Sequence, residues 1–510
     1  MAAQAGLAML REGGSAVDAA VAAAVTLTVV QPGSNDIGGD LFALVWDGTA
    51  LHGLNGSGRA PAALTLDILA RAALAPTDAL GGTQGSAGSV PPHHGWLPVT
   101  VPGAPAGWRD LHARFGRLPF ERLFDNAIRY AESGWPVSPT VARGWARAVG
   151  VRPKDDPACA HWPRTFTIDG RAPQVGELFA NPGAGRTLRL ISGSRAQAFY
   201  TGEIAQAIDR FSRATGGLLT GDDLAVHEST WVDPMSARYH GYEVHELPPN
   251  GQGVAALEAL ALLDGLPDAG LHEQIEAMKL GFADAHAYVA DPATGELPDL
   301  LNPSYIDKRR DLITDRAGDP GPGDPMRGGT VYLAAADSNG MMVSLIQSNY
   351  MGFGSFVTVP GYGFGLQNRG AGFSLDPAHP NVAAGGKRPF HTIIPGFLTR
   401  DGAPVGPFGV MGGHMQPQGH LQVVLSTVDE GVDPQTALDR PRWYWHRGRE
   451  VFLEPEFSAA VVADLRERGH VVTLTGDRGG FGMGQAIWRL AGGGYVAGSE
   501  PRADGQAAAF

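Results

Sequence analysis

The spacing of apolar residues along the chain predicts alternating helices and strands. Residues 2–12 place apolar side chains at helical spacing and end at Gly13-Gly14, and Ser15 is suited to cap a second helix that continues through the apolar run 19–30. The same spacing predicts helices in six later segments: 106–134, 204–215, 254–263, 272–290, 416–430 and 458–468.

Strands are predicted between these helices, mostly in the last third of the chain. Residues 41–46 and 50–54 flank Asp47-Gly48, and residues 330–335 and 342–347 flank Asn339-Gly340, two pairs typical of tight hairpin turns. Residues 317–329 are rich in Gly and Pro and lack an apolar face, so we expect an exposed loop there. Further strands are expected at 392–399, 405–410, 451–453, 471–475 and 486–490. Because strands and helices are interleaved, the expected fold class is α/β or α+β.

Composition narrows the classes of protein to consider. The 510 residues are 43% hydrophobic and 18% charged, as in a packed globular protein of one large or two ordinary domains. The formal net charge of −13, with no basic stripe, argues against a nucleic-acid partner. Cys159 is the only cysteine, which excludes an internal disulfide and a cysteine-based zinc site.

The start of the chain carries no targeting signal. The longest apolar run, 19–30, is too short to cross a bilayer, and no basic region precedes an apolar segment. The chain begins inside an amphipathic helix with no preceding strand, so we expect an upstream segment to be missing. The default expectation is a cytoplasmic protein without a membrane partner, with a periplasmic location left open.

Several motifs resemble binding sites but lack the required context. Gly251 to Ala256 fits G-x-G-x-x-A between a strand and a helix, yet no acidic residue ends a second strand about twenty residues later, which argues against a dinucleotide. His391, His414 and His420 lie close in sequence, without an acidic ligand or a helical His pair. No metal and no cofactor is therefore expected.

Gly329-Thr330 stands where the predicted loop meets a predicted strand. A Thr hydroxyl is a weak nucleophile unless a base lies beside it. If Thr330 attacks the carbonyl of Gly329 and the resulting ester is hydrolysed, Thr330 gains an α-amino group, and a reference pKa of about 8 lets this amine accept a proton near neutral pH. One residue then supplies both nucleophile and base. The alternative is an ordinary Thr at the edge of a strand.

The whole chain resembles the gamma-glutamyltransferase family. The motifs that carry the resemblance are long and follow the family's order. They are AAQAGLAMLREGGSAVDAAVAAAV (2–25), IGGDLFALVW (37–46), VPGAPAGWRDLHARFGRLPF (101–120), LLTGDDLA (218–225), ELPPNGQGVAAL (246–257), GGTVYLAAADSNG (328–340), AGGKRPFHTIIP (384–395), GVMGGHMQPQG (409–419) and GSEPRADGQA (498–507).

The resemblance implies the fold and the processing of the chain. The fold is the four-layer αββα sandwich of N-terminal-nucleophile hydrolases. Self-cleavage between Gly329 and Thr330 divides the chain into a heavy subunit, 1–329, and a light catalytic subunit, 330–510, which together form one structural domain.

The resemblance also implies roles for individual residues. Ser348 supports the nucleophile through its hydroxyl group. The backbone N–H groups of Gly412 and Gly413 form the oxyanion hole, where the missing Cβ lets donors approach the oxyanion closely; a simple tight turn is the alternative. His391 and Thr392 occupy the positions of a substrate-contacting Ser pair.

Residues expected to bind the substrate depart from the family pattern. Ser57 stands where the family has an Arg that holds the glutamyl carboxylate, with Arg59 two residues later. Tyr350, Arg369 and Gly372 stand where an Asn, a Gln and an Asp hold the α-amino group. Gly372 cannot balance a buried ammonium, whereas Arg369, together with Arg59, suits a substrate carboxylate or a second carbonyl. A structural ion pair is the alternative for Arg369. The pattern resembles the branch with oxamate amidohydrolases and cephalosporin-acylase-like members.

The sequence therefore predicts an autoprocessed enzyme that cleaves an amide bond through an acyl-Thr330 intermediate. The acyl group passes to water or to an amine, as in a gamma-glutamyl hydrolase or transferase. One alternative is an amidohydrolase for a small acidic amide such as oxamate, favoured by Arg369. Another is a non-catalytic binding protein, which would need neither Gly329-Thr330 nor Gly412-Gly413. The expected partners are a small-molecule amide and the two subunits, and a higher homo-oligomer stays open.

Overall fold

Two stacked sheets form the centre of the structure, a computed structural model that describes residues 1–74, 90–267, 269–295, 297–320 and 329–510. In these ranges the strands are β1 (Asp40–Trp46), β2 (Leu51–Asn55), β3 (Trp135–Pro136), β4 (Leu178–Phe179), β5 (Thr230–Val232), β6 (Met235–Tyr239), β7 (Tyr242–Glu246), β8 (Gly329–Ala336), β9 (Met342–Tyr350), β10 (Gly396–Arg400), β11 (Ala403–Met411), β12 (Trp443–Arg447), β13 (Glu450–Leu453), β14 (Val471–Leu474), β15 (Met483–Arg489) and β16 (Tyr495–Ser499).

Helices surround the sheets. In the described ranges the α-helices are α1 (Ala2–Arg11), α2 (Ala16–Val30), α3 (Leu66–Ala73), α4 (Ala104–Phe115), α5 (Asp125–Ser133), α6 (Pro139–Val151), α7 (Trp162–Phe166), α8 (Pro182–Ser194), α9 (Gln197–Tyr200), α10 (Glu203–Ala214), α11 (Gly221–Ala225), α12 (Gly253–Asp264), α13 (Leu271–Tyr288), α14 (Pro303–Arg310), α15 (Met415–Val428), α16 (Pro434–Asp439) and α17 (Ala459–Glu467). Short 3-10 helices cover Phe120–Phe124, Pro157–Cys159, Pro292–Thr294, Arg369–Gly372 and Arg478–Gly480.

The two large sheets each combine strands from both ends of the chain. The first has the order β5-β2-β1-β9-β8 and the second the order β16-β15-β11-β10-β7-β6, and neighbouring strands are antiparallel in both. A smaller sheet, β12-β13-β14, has one parallel pair, and β3 pairs with β4.

Apolar side chains fill the space between the two large sheets and cover their outer faces. Phe42 and Ile346 from the first sheet share one buried cluster with Phe397 from the second. Helix α2 packs on β8 and β9 of the first sheet, and α12 and α15 pack on the second. The order of layers is helix, sheet, sheet, helix, which agrees with the expected αββα arrangement.

The start of α2 shows how the sequence fixes local structure. Ser15 Oγ accepts a hydrogen bond from the Asp18 N–H at 3.1 Å, and Asp18 Oδ2 accepts one from the Ser15 N–H at 2.8 Å, which completes a capping box. The helix that follows is composed almost entirely of Ala, Val and Thr and is buried along nearly its whole length. The predicted cap at Ser15 is confirmed.

Most predicted elements are present, with instructive differences. The hairpins β1–β2 and β8–β9 form as expected. The strand predicted at 392–399 begins only at Gly396, because the N–H groups of Ile393 and Ile394 donate to side chains and Pro395 has no N–H. The helix predicted at 106–134 is divided into α4, a 3-10 turn and α5. Residues 321–328 of the predicted loop lie outside the described residues.

Among the helices that the structure describes, none is long and apolar enough to cross a membrane.

Candidate active site

Thr330 lies at an irregularity in the β8–β9 ladder. Gly329 pairs with Tyr350 and Val331 pairs with Gln347, so two residues of β9 face Thr330 alone. An irregularity of this kind changes the direction of a side chain relative to a regular ladder. The Thr330 side chain is fully buried.

The Thr330 hydroxyl lies next to the hydroxyl of Ser348, the residue to which the family resemblance assigns a supporting role. Thr330 Oγ1 and Ser348 Oγ are 3.1 Å apart. Ser348 Oγ also accepts hydrogen bonds from the Tyr350 N–H at 2.8 Å and from Arg369 Nη2 at 3.3 Å. Ser348 therefore connects the candidate nucleophile to a buried cation.

Arg369 is that cation, and its guanidinium is fully buried. Nη1 donates to Thr392 Oγ1 at 2.9 Å, and Cζ lies 4.2 Å from the centre of the Tyr350 ring. No carboxylate lies within salt-bridge distance of Arg369 in the described ranges, and its Nε has no acceptor there. Burial lowers the pKa of Arg369 to about 10, so the group is still charged near neutral pH.

Tyr350 has an unusual backbone conformation beside the scissile position. Its φ of 77° lies in the left-handed region, which L-residues other than Asn and Asp adopt rarely. Such a residue costs about 1–3 kcal/mol and persists where its surroundings hold it. Here the hydrogen bond to Ser348 and the stacked guanidinium of Arg369 hold it.

His391 lies deeper, against Asp40. Its Nε2 is 3.1 Å from Asp40 Oδ2, and its Nδ1 accepts the Ile393 N–H at 3.4 Å, so the ring proton belongs on Nε2. Burial and the nearby charges of Arg369 and Arg388 hold the pKa of His391 well below its usual range. Both ring nitrogens are thus used within the protein, and Thr392 is the member of this pair that joins the group around Thr330.

Asp40 is a buried acceptor that sequence reasoning missed. Its Oδ1 accepts the N–H groups of Gly58 and Gly103, each at 3.1 Å, and burial raises its pKa to about 6. The residue stands in IGGDLFALVW, where a lone Asp at the start of an apolar strand was an available signal.

Gly412 and Gly413 occupy the turn between β11 and α15. Their φ values are 141° and 64°, a region that side-chain-bearing residues rarely enter. None of the backbone hydrogen bonds between described residues uses either N–H as a donor. Helix α15 starts two residues later, at Met415, so its N-terminus, where a helix carries partial positive charge, lies next to the turn.

Arg59 does not join Arg369. Its Nη1 donates to Asp291 Oδ2 at 2.8 Å and to the Gly386 carbonyl at 3.0 Å, and the side chain is 40% exposed. Arg59 thus forms the structural ion pair that was the alternative for Arg369. The expectation that both arginines serve one substrate group receives no support from a contact between them.

One cluster of the described residues has the make-up of a metal site. Ligand atoms of His272, Glu276 and His470 lie within 4.8 Å of one another, and all three residues are buried. Lys279 Nζ already donates to Glu276 Oε1 at 2.7 Å and so places a positive charge at the carboxylate. The cluster joins α13 to the segment before β14.

One described cavity borders β8 but is not lined by the residues around Thr330. It measures about 940 Å³ and is lined by α1, β8, β15, β16 and the end of the chain. Neither Thr330, Ser348 nor Arg369 lines it. We therefore base the site on the hydrogen-bonded group around Thr330.

Comparison with known proteins places this geometry in a family. The gamma-glutamyltranspeptidase family model matches residues 2–510. The chain is 34% identical to the glutathione hydrolase-like YwrD proenzyme of Bacillus subtilis, over 99% of this chain and 96% of that protein. It is also 34% identical to the oxamate amidohydrolase proenzyme of Klebsiella pneumoniae, over 100% of this chain and 97% of that protein.

Solved structures show the same relationship. The crystal structure of cephalosporin acylase from Bacillus halodurans superposes with a TM-score of 0.93 at 49% identity, covering 100% of this chain and 94% of that one. The fold is thus the αββα sandwich of N-terminal-nucleophile hydrolases. The chain belongs to the gamma-glutamyltranspeptidase family and is an amide hydrolase or acyltransferase.

Proposed function

We propose that this enzyme cuts itself before Thr330 and then hydrolyses a small amide whose acyl group carries a carboxylate or a second carbonyl near the scissile bond. One observation carries the proposal. Arg369 is a fully buried guanidinium that contacts the partner of Thr330 and has no carboxylate within salt-bridge distance among the described residues; Asp40 attracts it only from farther away. A buried charge without a directly bonded counter-ion is costly, and an anionic ligand would balance it.

Thr330 is proposed as the nucleophile for both reactions. Two donors, the Tyr350 N–H and Arg369 Nη2, already point at Ser348 Oγ, which favours Ser348 as the donor towards Thr330 Oγ1. The Thr330 proton is then directed elsewhere, and after the cut the new α-amino group can accept it. Subunits 1–329 and 330–510 are the proposed products.

The cut also has to open the site. Thr330, Ser348 and Arg369 are all fully buried in the continuous chain, so no substrate can reach them in this state. Cleavage at Gly329-Thr330 frees one end of the strand at this point. We propose that the released end moves away and uncovers the acyl-binding group.

Gly412 and Gly413 are proposed as the oxyanion hole. Their N–H groups, which donate to no backbone carbonyl among the described residues, and the neighbouring N-terminus of α15 favour a negative charge at the turn. Attack by Thr330 on an amide carbonyl forms such a charge on the carbonyl oxygen. Collapse of this intermediate leaves the acyl group on Thr330 Oγ1 and releases the amine, which takes the proton from the Thr330 α-ammonium.

Arg369 and Thr392 are proposed to bind the acyl group, with Tyr350 as the wall beside them. The guanidinium can donate to a carboxylate once the site opens, in two parallel hydrogen bonds if it turns from its present partners. A substrate ammonium would meet the same positive charge and be repelled. This favours oxamate-like acids, half-amides with a carboxylate on the neighbouring carbon, over the α-amino group of a glutamyl compound.

The self-cleavage is tested by denaturing electrophoresis and mass measurement. Purified wild-type protein should give fragments 1–329 and 330–510, whereas Thr330→Ala should give one band. Thr330→Ser keeps a hydroxyl group and should still be cut. A light chain whose mass places its first residue elsewhere would overturn Thr330 as the nucleophile.

The acyl group is tested by comparing two substrates. Ammonia release from oxamate and 4-nitroaniline release from γ-glutamyl-4-nitroanilide are measured with the processed enzyme at equal concentration. We expect kcat/KM to be higher for oxamate and to fall in Arg369→Met. A preference for the glutamyl compound that Arg369→Met abolishes would contradict the proposal.

A further inference from the structure

Gln252 lies at the junction of three segments that build the candidate site. It is the residue before α12, inside the Gly251 to Ala256 segment that matches a dinucleotide motif in sequence, and it is fully buried. Its backbone N–H donates to the carbonyl of His391 at 3.0 Å, and Gly251 forms a bridge with the same residue. The motif therefore serves the Thr330 site.

The side-chain amide of Gln252 joins two loops. Its Nε2 donates to the carbonyl of Thr392 at 2.6 Å and to the carbonyl of Gly413 at 2.9 Å. Both neighbours are acceptors, so the NH₂ end of the amide must face them, and both of its protons are used. A side chain without these two donors would leave the carbonyl of Thr392 without this partner, and that of Gly413 with only the Gln416 N–H at 3.2 Å, which belongs to the turn itself.

Each of the two loops carries a different function in the proposed reaction. Thr392 accepts from Arg369, which is proposed to bind the acyl group, and Gly413 is proposed to stabilise the oxyanion. A second link, from the Ile394 N–H to Gln416 Oε1 at 3.0 Å, joins the same loops farther along. Gln252 is the link that ends at the carbonyl of Gly413 itself.

We propose that Gln252 is a positioning residue that sets the distance between the oxyanion donors and the acyl-binding residues. The inference rests on the oxyanion role proposed for Gly412 and Gly413. A Gly pair has few constraints of its own, since both residues adopt left-handed φ values without a Cβ to limit them. The fixed carbonyl of Gly413 restricts the turn in the absence of substrate, which is the preorganisation that oxyanion stabilisation requires.

The test compares Gln252→Met with a matched control, Gln422→Met. Gln422 Nε2 likewise donates to two backbone carbonyls, those of Gln418 at 2.9 Å and Trp443 at 3.1 Å, away from the Thr330 group. Met has a similar length and removes the donors in both cases. The assay is the Thr330-dependent release of 4-nitrophenolate from 4-nitrophenyl acetate, with Thr330→Ala as the blank, because an acetyl group has no carboxylate for Arg369. Oxamate hydrolysis is measured beside it.

We expect Gln252→Met to lower the nitrophenyl acetate rate and the kcat for oxamate by about 100-fold, because a displacement of the oxyanion donors by about 1 Å can cost a rate factor of that size. The KM for oxamate should change by less than about threefold. Gln422→Met should stay within about twofold of wild type. If Gln252→Met is not recovered folded, Gln252→Asn, one methylene shorter, takes its place. Unchanged kcat in a folded and processed variant, or equal losses in both variants, would overturn the inference.

The outcome also separates this inference from the proposed substrate. If the wild-type enzyme does not hydrolyse oxamate, but Gln252→Met still lowers the nitrophenyl acetate rate, the proposed carboxylate-bearing substrate is wrong and the role of Gln252 stands. A wild-type rate equal to the Thr330→Ala blank rejects Thr330 as the nucleophile, and the role of Gln252 with it.

Discussion

Replacing Arg369 by Met should remove activity and leave the fold almost equally stable. Arg369 is fully buried and no carboxylate hydrogen-bonds to it in the described ranges; Asp40 attracts it only from farther away. Arg442 is also buried, but its Nη2 donates to the buried Glu500 at 2.8 Å. The two arginines therefore form a matched pair that differs in whether a carboxylate is bonded directly to the guanidinium.

The magnitude follows from the surroundings of each side chain. Burial lowers the pKa of Arg369 to about 10 from an ordinary value of 12.5, which corresponds to about 3 kcal/mol of free energy opposing the charged form. The cost applies below about pH 10 and declines as the pH rises through that value towards 12.5. Arg369→Met removes this cost and also removes two hydrogen bonds from a charged donor, worth together about 3 kcal/mol. The net change in unfolding free energy should be within about 1 kcal/mol.

Arg442→Met should behave differently. Glu500 keeps Arg502, whose Nη1 donates to Glu500 Oε1 at 2.6 Å, but it loses one of its two arginines. The buried carbonyl groups of Phe481 and Gly482 lose the Arg442 donor as well, and each buried group left unpaired costs about 1–3 kcal/mol. Unfolding is measured by urea titration in the uncut Thr330→Ala background, so that each sample is a single polypeptide. Activity is measured separately in processed enzyme.

The loss of activity in Arg369→Met should be large. Truncating one member of a buried charge pair costs about 2–5 kcal/mol, so kcat/KM for oxamate should fall by about 30-fold to a few thousand-fold. The reasoning is refuted if Arg369→Met is as unstable as Arg442→Met while its kcat/KM for oxamate is unchanged. That result would make Arg369 a structural residue.

Three further predictions concern buried groups. Burial raises the pKa of Asp40 to about 6, so the contribution of Asp40 to stability should fall as the pH rises from about 4 to 6. In Asp40→Asn the urea midpoint at pH 4.5, relative to the midpoint at pH 7, should therefore be lower than in the wild type; an unchanged relative midpoint would contradict this. Burial raises the pKa of Glu258 to about 10, so folding at pH 7 requires the uptake of a proton, which costs about 3 kcal/mol. Glu258→Gln should therefore unfold at a higher urea concentration than the wild type, and the increase in its urea midpoint should grow up to pH 9; an increase that is independent of pH would contradict this. Burial raises the pKa of Cys159 to about 12, so its thiol should resist iodoacetamide at pH 8 until urea unfolds the chain, and alkylation of folded enzyme would show that the residue is accessible.

Local signals in the sequence predicted the elements that depend on local chemistry. The cap at Ser15 and the turn at Asn339-Gly340 are such cases, because the hydrogen bonds or φ values that they need come from neighbouring residues. The hairpin β6–β7 was missed because its strands are five residues each and carry Arg, Glu and His at exposed or half-buried positions. Its place in the sheet is fixed by pairing with β10, about 150 residues later in the chain.

The site shows the same limit more sharply. Family motifs supplied Thr330, Ser348 and Arg369, and the structure brings these three into contact. Spacing alone could not show that Gln252 reaches Gly413, because the two residues are far apart in sequence and meet only because the strands before them, β7 and β11, both pair with β10 in the second sheet. The Gly251 to Ala256 motif was set aside as a dinucleotide site in the sequence, and its position became informative only once the fold was known.

The way the strands are shared has a consequence for the life of the enzyme. In the first sheet the boundary between residues before and after position 330 runs between β1 and β9, and in the second it runs between β7 and β10. Neither portion holds all the strands of either large sheet, so we expect neither to refold alone. An uncut chain refolds in a first-order reaction, whereas a cut one must reassemble from two polypeptides at a rate that depends on their concentration. In dilute solution the lifetime of the processed enzyme is then set by its unfolding rate, because two polypeptides that have dissociated do not reassemble into active enzyme fast enough to matter.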